Sequence, residues 1–206
     1  MKIKYILALV LLMVSLGIHA QSLWDRSKPD NNFTFGVRAG ANFASTDMDY
    51  ATSTRTGFHV GGIVDWNIVK SISVQSGIYY VEKGFKSDFG KGRSGYVQIP
   101  LLASYHIETP TKVQFHFNVG PYFAWGVTGR VDYNPYDETF SYNFNQNSFG
   151  QKGFFKHFDM GLCAGASILI SHVILGVNYE HGFMDIAKVY GKFHNRNVCI
   201  TAGYNF

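Results

Sequence analysis

The last nine residues of the chain read Val198-Cys199-Ile200-Thr201-Ala202-Gly203-Tyr204-Asn205-Phe206. Val198, Ile200, Ala202, Tyr204 and Phe206 alternate with smaller or more polar residues. This period of two is typical of a β-strand that lies between an apolar and a polar medium. The stretch therefore predicts a strand with one apolar face.

Seven further segments alternate in the same way, at about residues 32–43, 57–68, 71–83, 96–106, 112–127, 156–168 and 172–183. Most are about ten to twelve residues long, which a tilted strand needs to cross a bilayer core. Short connections alternate with long ones at 44–56, 84–95, 128–155 and 184–197, the pattern of short periplasmic turns and long extracellular loops. The sequence predicts an all-β fold, an eight-stranded antiparallel up-and-down transmembrane β-barrel.

The polar face separates this prediction from a soluble barrel with the same strand count. A soluble barrel would carry many charges on its outer, polar face, whereas charged residues make up only 16% of this chain. Aromatic residues also gather at the two ends of the strands, as in the interfacial girdles of membrane barrels. The predicted girdle includes Trp66, Tyr105 and Phe206 at one level and Trp125 and Tyr179 at the other.

The amino terminus has the features of a secretory signal peptide. Lys2 and Lys4 precede an apolar run from Tyr5 to Ile18, and a small residue, Ala20, marks the predicted cleavage site. We expect residues 1–20 to be the signal peptide, 21–31 a short periplasmic lead and 32–206 the barrel domain. No later apolar run is long enough for a membrane helix, so a spanning chain must form a closed barrel. The predicted location is the cell outer membrane.

Charge and cysteine content narrow the possible partners. Removal of Lys2 and Lys4 lowers the formal net charge from +4 to +2, which does not indicate a nucleic-acid partner. Cys163 and Cys199 fall on strands predicted not to be neighbours, beyond the ~7 Å Cα separation that a disulfide tolerates. Two buried free thiols are expected.

Three motifs resemble the PorT-like outer-membrane β-barrel domain family, common in Bacteroidetes. They are the first strand Phe35–Phe43, the Tyr96–Leu102 segment with its Ile-Pro-Leu, and the Gly-Pro-Tyr of residues 120–122. The resemblance implies an outer-membrane barrel, and the family's namesake contributes to protein secretion and maturation at the cell surface. We expect this barrel to be monomeric and to need no cofactor. The terminal Phe206 resembles the signal read by the barrel-assembly machinery, an expected partner during insertion.

Several polar residues are predicted to point into the barrel, namely Arg38, His59, Asp65, His116, Asp159 and Glu180. An eight-stranded barrel is just wide enough inside for its own side chains, so these residues are interpreted as a structural network in the lumen. Arg38 and Asp65 lie on adjacent predicted strands at similar depth, and an ion pair between them is expected.

Two alternatives assign chemistry or transport to the same interior. Asp159 and Glu180 could form a close carboxylate pair at the rim, near His181, in a hydrolase acting on lipid or peptide. The eight histidines are scattered, no nucleophile and base share one level, and no metal site or catalytic residue is predicted. A narrow channel is the other alternative. The primary prediction is a non-enzymatic barrel with a structural, secretion or envelope-assembly role.

The longest predicted loop is rich in aromatic residues: Tyr133, Tyr136, Phe140, Tyr142, Phe144, Phe149, Phe154 and Phe155. Exposed aromatic residues on a long loop indicate a site for a protein partner, but they could equally fold back and cap the barrel mouth. The segments 83–93 and 188–196 are locally basic. Outer-membrane lipid, including the phosphates of lipopolysaccharide, is therefore an expected partner.

Overall fold

The computed structural model describes residues 25–47, 52–87, 90–111, 113–133, 149, 156–185 and 194–206. The predicted signal peptide lies outside these ranges. Eight long strands and one short strand are present: β1 (Phe33–Asp47), β2 (Thr52–Ser53), β3 (Arg55–Val69), β4 (Ile72–Ser87), β5 (Gly90–Glu108), β6 (Val113–Tyr133), β7 (Phe158–Ile170), β8 (Val173–Gly182) and β9 (His194–Asn205). The described part of the chain contains no helix of the length and apolarity needed to cross a membrane.

The long strands form one closed antiparallel sheet. Each pairs with the next long strand along the chain, and β9 returns to pair with β1, with Ala202 opposite Ala39. The short β2 only adds to the end of β4, where Thr52 lies opposite Ser87. The predicted eight-stranded barrel is confirmed.

The apolar face of every long strand points outward. Large hydrophobic side chains are exposed all around the outside, whereas most of the buried polar side chains lie within the barrel or at its rims. Trp66 and Trp125 are 54% and 55% exposed on the outer surface, so neither lines an internal pocket. A closed sheet pairs the hydrogen-bonding groups of its backbone without leaving an edge, which lets such a wall face lipid.

One predicted loop, residues 84–95, is instead the tip of a β-hairpin. Strand β4 continues to Ser87 and β5 begins at Gly90, with these two residues paired. The sequence prediction missed this extension because it recognises a strand only where apolar and polar residues alternate. The hairpin tip is rich in lysine, arginine and glycine, and its backbone ladder needs no apolar face.

The two ends of the barrel differ in their connections. At the short-turn end, Ile170 pairs with Val173 across a two-residue turn in which Ser171 adopts a φ of 57°. The amino-terminal lead covers another short turn, because the Asp25 amide donates to Ser71 Oγ (2.9 Å) and the Lys70 amide donates to the Ser27 carbonyl (3.1 Å). The opposite end is the long-loop end.

Candidate functional site

A buried ammonium group lies inside the barrel near the long-loop end. Lys83 on β4 is 1% exposed at its side chain, and its Nζ lies 3.1 Å from Glu180 Oε2 and 3.9 Å from Asp159 Oδ2. The same Nζ lies 4.3 Å from the centre of the Tyr122 ring, a cation–π contact. We call Lys83, Asp159 and Glu180 the Lys83 cluster.

Neutral side chains donate hydrogen bonds to both carboxylates, although Asp159 Oδ1 has no hydrogen-bond partner among the described residues. Gln98 Nε2 donates to Glu180 Oε1 (2.6 Å) and Asn197 Nδ2 donates to Glu180 Oε2 (3.1 Å). Asn195 Nδ2 donates to Asp159 Oδ2 (2.9 Å). Charges buried in this way need partners, because an unpaired ion in a dry interior costs several kcal/mol. The cluster ties β4, β7 and β8 together across the lumen.

The sequence prediction placed both acids inside but missed the lysine between them. In the hydrolase alternative, Asp159 and Glu180 could form a close carboxylate pair, whereas in the structure the Lys83 ammonium lies between them. Lys83 ends the predicted third strand, and it was assigned to a basic loop. The alternation along the strand could have revealed Lys83. Ile78 and Tyr80 face outward, so Tyr79 and every second residue after it, including Lys83, face inward.

The predicted ion pair between Arg38 and Asp65 is not present among the described residues. The register sets Arg38 opposite Gly61 and Asp65 opposite Thr34, which separates their backbones by about 13 Å along the strands. Arg38 Nη2 instead donates to Asn205 Oδ1 (2.6 Å), and Gln75 Nε2 donates to both Asp65 oxygens (3.1 Å each).

Histidine side chains also lie in the lumen, in two settings. His59 joins three strands, since its ring nitrogens contact Asn42 Oδ1 (2.6 Å) and Thr201 Oγ1 (3.0 Å). Nearer the short-turn end, His106 and His116 stack with ring centres 4.0 Å apart. Within the described residues, no three His, Cys, Asp or Glu side chains converge as a metal site would require.

A cavity of about 70 Å³ occupies the middle of the lumen. Polar groups of Arg38, His59 and Glu180 line it together with the thiols of Cys163 and Cys199. Both cysteines are free and buried. They lie on β7 and β9, which β8 separates, as predicted. Residues two strands apart have Cα atoms separated by about 9–10 Å, which is too far for a disulfide.

Above the Lys83 cluster, one loop residue enters the barrel mouth. Phe149 is 2% exposed and packs edge-on against Tyr96, with ring centres 5.5 Å apart, and stacks on His157 at 5.3 Å. Its ring occupies the space left by Gly126, where a Cβ atom would overlap it. For this residue, the capping alternative is the correct one.

Removal of this cap is expected to open the lumen to small reagents. In Phe149→Ala the Tyr96 ring loses its cover, and in Gly126→Val the added side chain displaces the Phe149 ring. Both variants should increase severalfold the rate at which a small thiol reagent labels Cys163, because local opening requires less disruption of packing. Mass spectrometry of the labelled protein measures this rate.

Gly62→Ala provides the matched control, because a Cβ atom at Gly62 meets nothing closer than the Gly36 carbonyl oxygen at 3.9 Å. Its labelling rate should equal that of the unaltered protein. Equal rates in the two cap variants and the control would show that Phe149 does not limit access to the lumen.

His181, the histidine considered for a rim hydrolase, is not brought together with Asp159 and Glu180. Asp159 and Glu180 are buried inside the barrel, whereas His181 lies on the other face of β8, beside the outward-facing Leu162 and Phe183. Neighbouring residues of a strand point to opposite faces, so Glu180 and His181 cannot share one site. The structure therefore does not provide the arrangement that the hydrolase alternative requires.

The predicted girdle residues lie on the outer surface at the two strand ends. Trp66 pairs with Phe33 at the short-turn end, and Trp125 pairs with Phe158 at the long-loop end. Tyr105 pairs with Ile72, Tyr179 pairs with Val198, and the Phe206 amide donates to the Phe35 carbonyl (2.8 Å). Among the predicted loop residues, Tyr133 ends β6. Tyr136, Phe140, Tyr142 and Phe144 lie outside the described residues, as do Phe154 and Phe155.

Several solved structures are similar to this chain. Neisserial surface protein A is 14% identical, with a TM-score of 0.51 over 84% of this chain and 97% of that one. Ail of Yersinia pestis is 14% identical, with a TM-score of 0.49 over 85% and 100% of the two chains. OprG of Pseudomonas aeruginosa is 11% identical, with a TM-score of 0.42 over 90% and 99%. The first likeness shows the fold alone.

Sequence comparison identifies the family. No curated protein matches the chain. The outer membrane protein beta-barrel domain family matches residues 19–188, most of the chain. That match agrees with the closed barrel, its lipid-facing apolar wall and its filled lumen. The protein therefore belongs to the outer membrane protein beta-barrel domain family and resides in the outer membrane.

Proposed function

We propose that this protein is a non-enzymatic, monomeric outer-membrane barrel of PorT-like type that serves secretion or envelope assembly through its extracellular loops. The observation that carries the proposal is the filled extracellular half of the lumen, where Phe149 lies over the Lys83 cluster. An interior occupied in this way leaves the loops and the wall as the surfaces for a partner. Insertion by the barrel-assembly machinery, after removal of residues 1–20, is part of the same proposal.

The strand extensions support a role for the loops. Strands β4, β5 and β6 continue past the girdle level of Trp125, and Gly90 pairs with Tyr133 near their ends. Such paired extensions form a firm base for the segment that follows β6. Rigid scaffolds that present variable loops are a common arrangement for recognition. The aromatic residues between β6 and Phe149 are the proposed contact with a protein partner.

Loop replacement tests this proposal. Residues 134–148 are exchanged for a short Gly-Ser turn, so that β6 and Phe149 remain. We expect the variant to fold and insert normally, because the barrel ladder is untouched, while proteins cross-linked to the native loop in intact cells are lost. Heat-modifiable migration in gels monitors folding, and mass spectrometry identifies the cross-linked proteins.

Shortening of residues 186–193 is the matched control, since this segment also joins two long strands at the extracellular end. It should leave the cross-linked set unchanged. An identical set of cross-linked proteins in the 134–148 variant and the native protein would contradict the proposed partner site.

A narrow channel is the second candidate, favoured by the polar cavity in the middle of the lumen. We expect the native barrel to give no conductance in planar bilayers, because Phe149 and the Lys83 cluster lie between the cavity and the extracellular mouth. Regular single-channel conductance steps from the native protein would contradict the proposed structural role and support a transport role.

A further inference from the structure

The outer wall carries a compact group of charges just beyond the extracellular girdle. Glu82 on β4 is buried because two arginines cover it: Arg55 Nη2 lies 3.0 Å from Glu82 Oε1, and Arg93 Nη2 pairs with Glu82 Oε2. Arg55 Nη1 also donates to the Gly92 carbonyl (3.3 Å). We call Arg55, Glu82 and Arg93 the Glu82 triad.

Alternation along β4 places the triad on the lipid side of the wall. Tyr79 and Val81 line the central cavity and Lys83 binds the lumen acids, so Tyr80 and Glu82 face outward. Tyr80 packs on the exposed Phe58 ring of β3, with ring centres 5.7 Å apart. The triad therefore lies at the level where lipid headgroups meet the barrel.

The triad keeps a positive charge that is available to the outside. Two arginines face one glutamate, and the Arg93 side chain is 59% exposed. A guanidinium has five N–H donors, so Arg93 can hold Glu82 and a second anion together. Glu82 fixes the orientation of both guanidinium groups, which lowers the conformational cost of binding a further acceptor.

Charge is distributed unequally between the two ends of the outer surface. At the periplasmic end, Arg26, Lys28 and Lys70 are balanced by Asp25, Asp30 and Glu108. At the extracellular end, four basic side chains outnumber two acidic ones among the outer and rim residues whose side chains are described: Arg55, Arg93, Lys156 and Arg196 against Glu82 and Asp185. The hairpin register sets Lys86 and Asp132 on either side of Lys91, and Arg130 opposite Arg93, so it contains more basic than acidic residues.

We propose that the Glu82 triad binds a phosphate group on the headgroup of an outer-leaflet lipid of the lipopolysaccharide type. Arginine binds phosphate through paired N–H donors, which gives both charge and geometric fit. The Phe58 and Tyr80 rings directly below lie where the acyl chains begin, and aromatic residues favour this interface. The site is independent of the loop partner, so either proposal can fail without the other.

Native mass spectrometry of the full-length protein in detergent tests the site, with diphosphorylated lipid A and its dephosphorylated form as probes. Arg93→Gln should weaken binding of the diphosphorylated probe about fivefold, since one basic side chain near an anionic lipid surface contributes about this factor. Arg93→Lys keeps the charge but loses the paired N–H donors. Its affinity for the diphosphorylated probe should lie between those of the native protein and Arg93→Gln. The dephosphorylated probe should bind equally weakly to all three proteins.

Lys70→Gln is the matched control, because Lys70 is a partly exposed cation at the periplasmic end, near Asp30 (3.8 Å). This variant should bind the diphosphorylated probe as the native protein does. An equal effect of Lys70→Gln and Arg93→Gln would overturn the proposal. So would competition by inorganic phosphate at the concentration of the lipid, which would indicate a site for a free anion.

Discussion

Replacement of Lys83 by methionine is expected to destabilise the folded barrel by about 3–5 kcal/mol, the usual loss when one partner of a buried ion pair is removed. The substitution keeps an unbranched side chain, one atom shorter, and leaves Asp159 and Glu180 buried without their cation. Urea-induced unfolding in detergent micelles, followed by tryptophan fluorescence, measures the change in free energy of unfolding.

A triple variant separates the charge effect from a packing effect. When Lys83→Met is combined with Asp159→Asn and Glu180→Gln, no charge remains unpaired in the cluster, and most of the lost stability should return. If Lys83→Met alone costs no more than a surface substitution, about 0.5 kcal/mol, then the extracellular half of the lumen is hydrated and the cluster does not hold the barrel together.

Val119→Arg is expected to destabilise the barrel in a bilayer by about 2–4 kcal/mol, the cost of a cationic side chain at the middle of the lipid face of a β-barrel. Val119 is 55% exposed on β6, midway between Val113 and Trp125. Its cross-strand neighbours are Ala103 and Ala164, which offer no polar partner. Equilibrium unfolding in phospholipid vesicles gives this value.

Val119→Leu keeps the site apolar and serves as the control, with an expected change below about 0.5 kcal/mol. The arginine variant should regain stability in a thinner bilayer, because the guanidinium then reaches an interface more easily. Equal stability of the arginine and leucine variants in the standard bilayer would mean that this face of β6 does not contact the hydrocarbon core.

The fold was predictable because a barrel in lipid applies one simple rule to every strand. Residues such as Val113, Phe115 and Phe117 meet hydrocarbon, and their neighbours Gln114 and His116 meet a polar interior. Beyond the membrane both faces of a strand contact water, and the alternation of apolar and polar residues is lost. For this reason the sequence predicts an end of β4 at about Lys83 and a start of β5 at about Tyr96. In the structure the pairing of the two strands continues to Ser87 and Gly90.

The sequence indicated which polar residues lie inside the barrel, but it did not indicate which of them contact one another. Arg38, His59, Asp65, His116, Asp159 and Glu180 are all buried, as the alternation indicated. Which of them meet depends on the stagger between strands and on side-chain reach across the lumen, and neither can be obtained from a period of two. Arg38 therefore binds Asn205 on β9, and Asp65 binds Gln75 on β4.

By itself, the sequence determined that eight segments alternate, that their apolar faces point to lipid and that the chain forms a closed barrel, since each property follows from the local contrast between neighbouring side chains. Only the tertiary structure decided that Lys83 joins Asp159 to Glu180, that Phe149 fills the mouth over Gly126 and that Arg55 and Arg93 converge on Glu82. The Lys83 contacts cross the lumen between strands that only barrel closure brings within reach. The Glu82 triad depends on the register of three neighbouring strands, and the Phe149 contact depends on where that residue lies relative to β6.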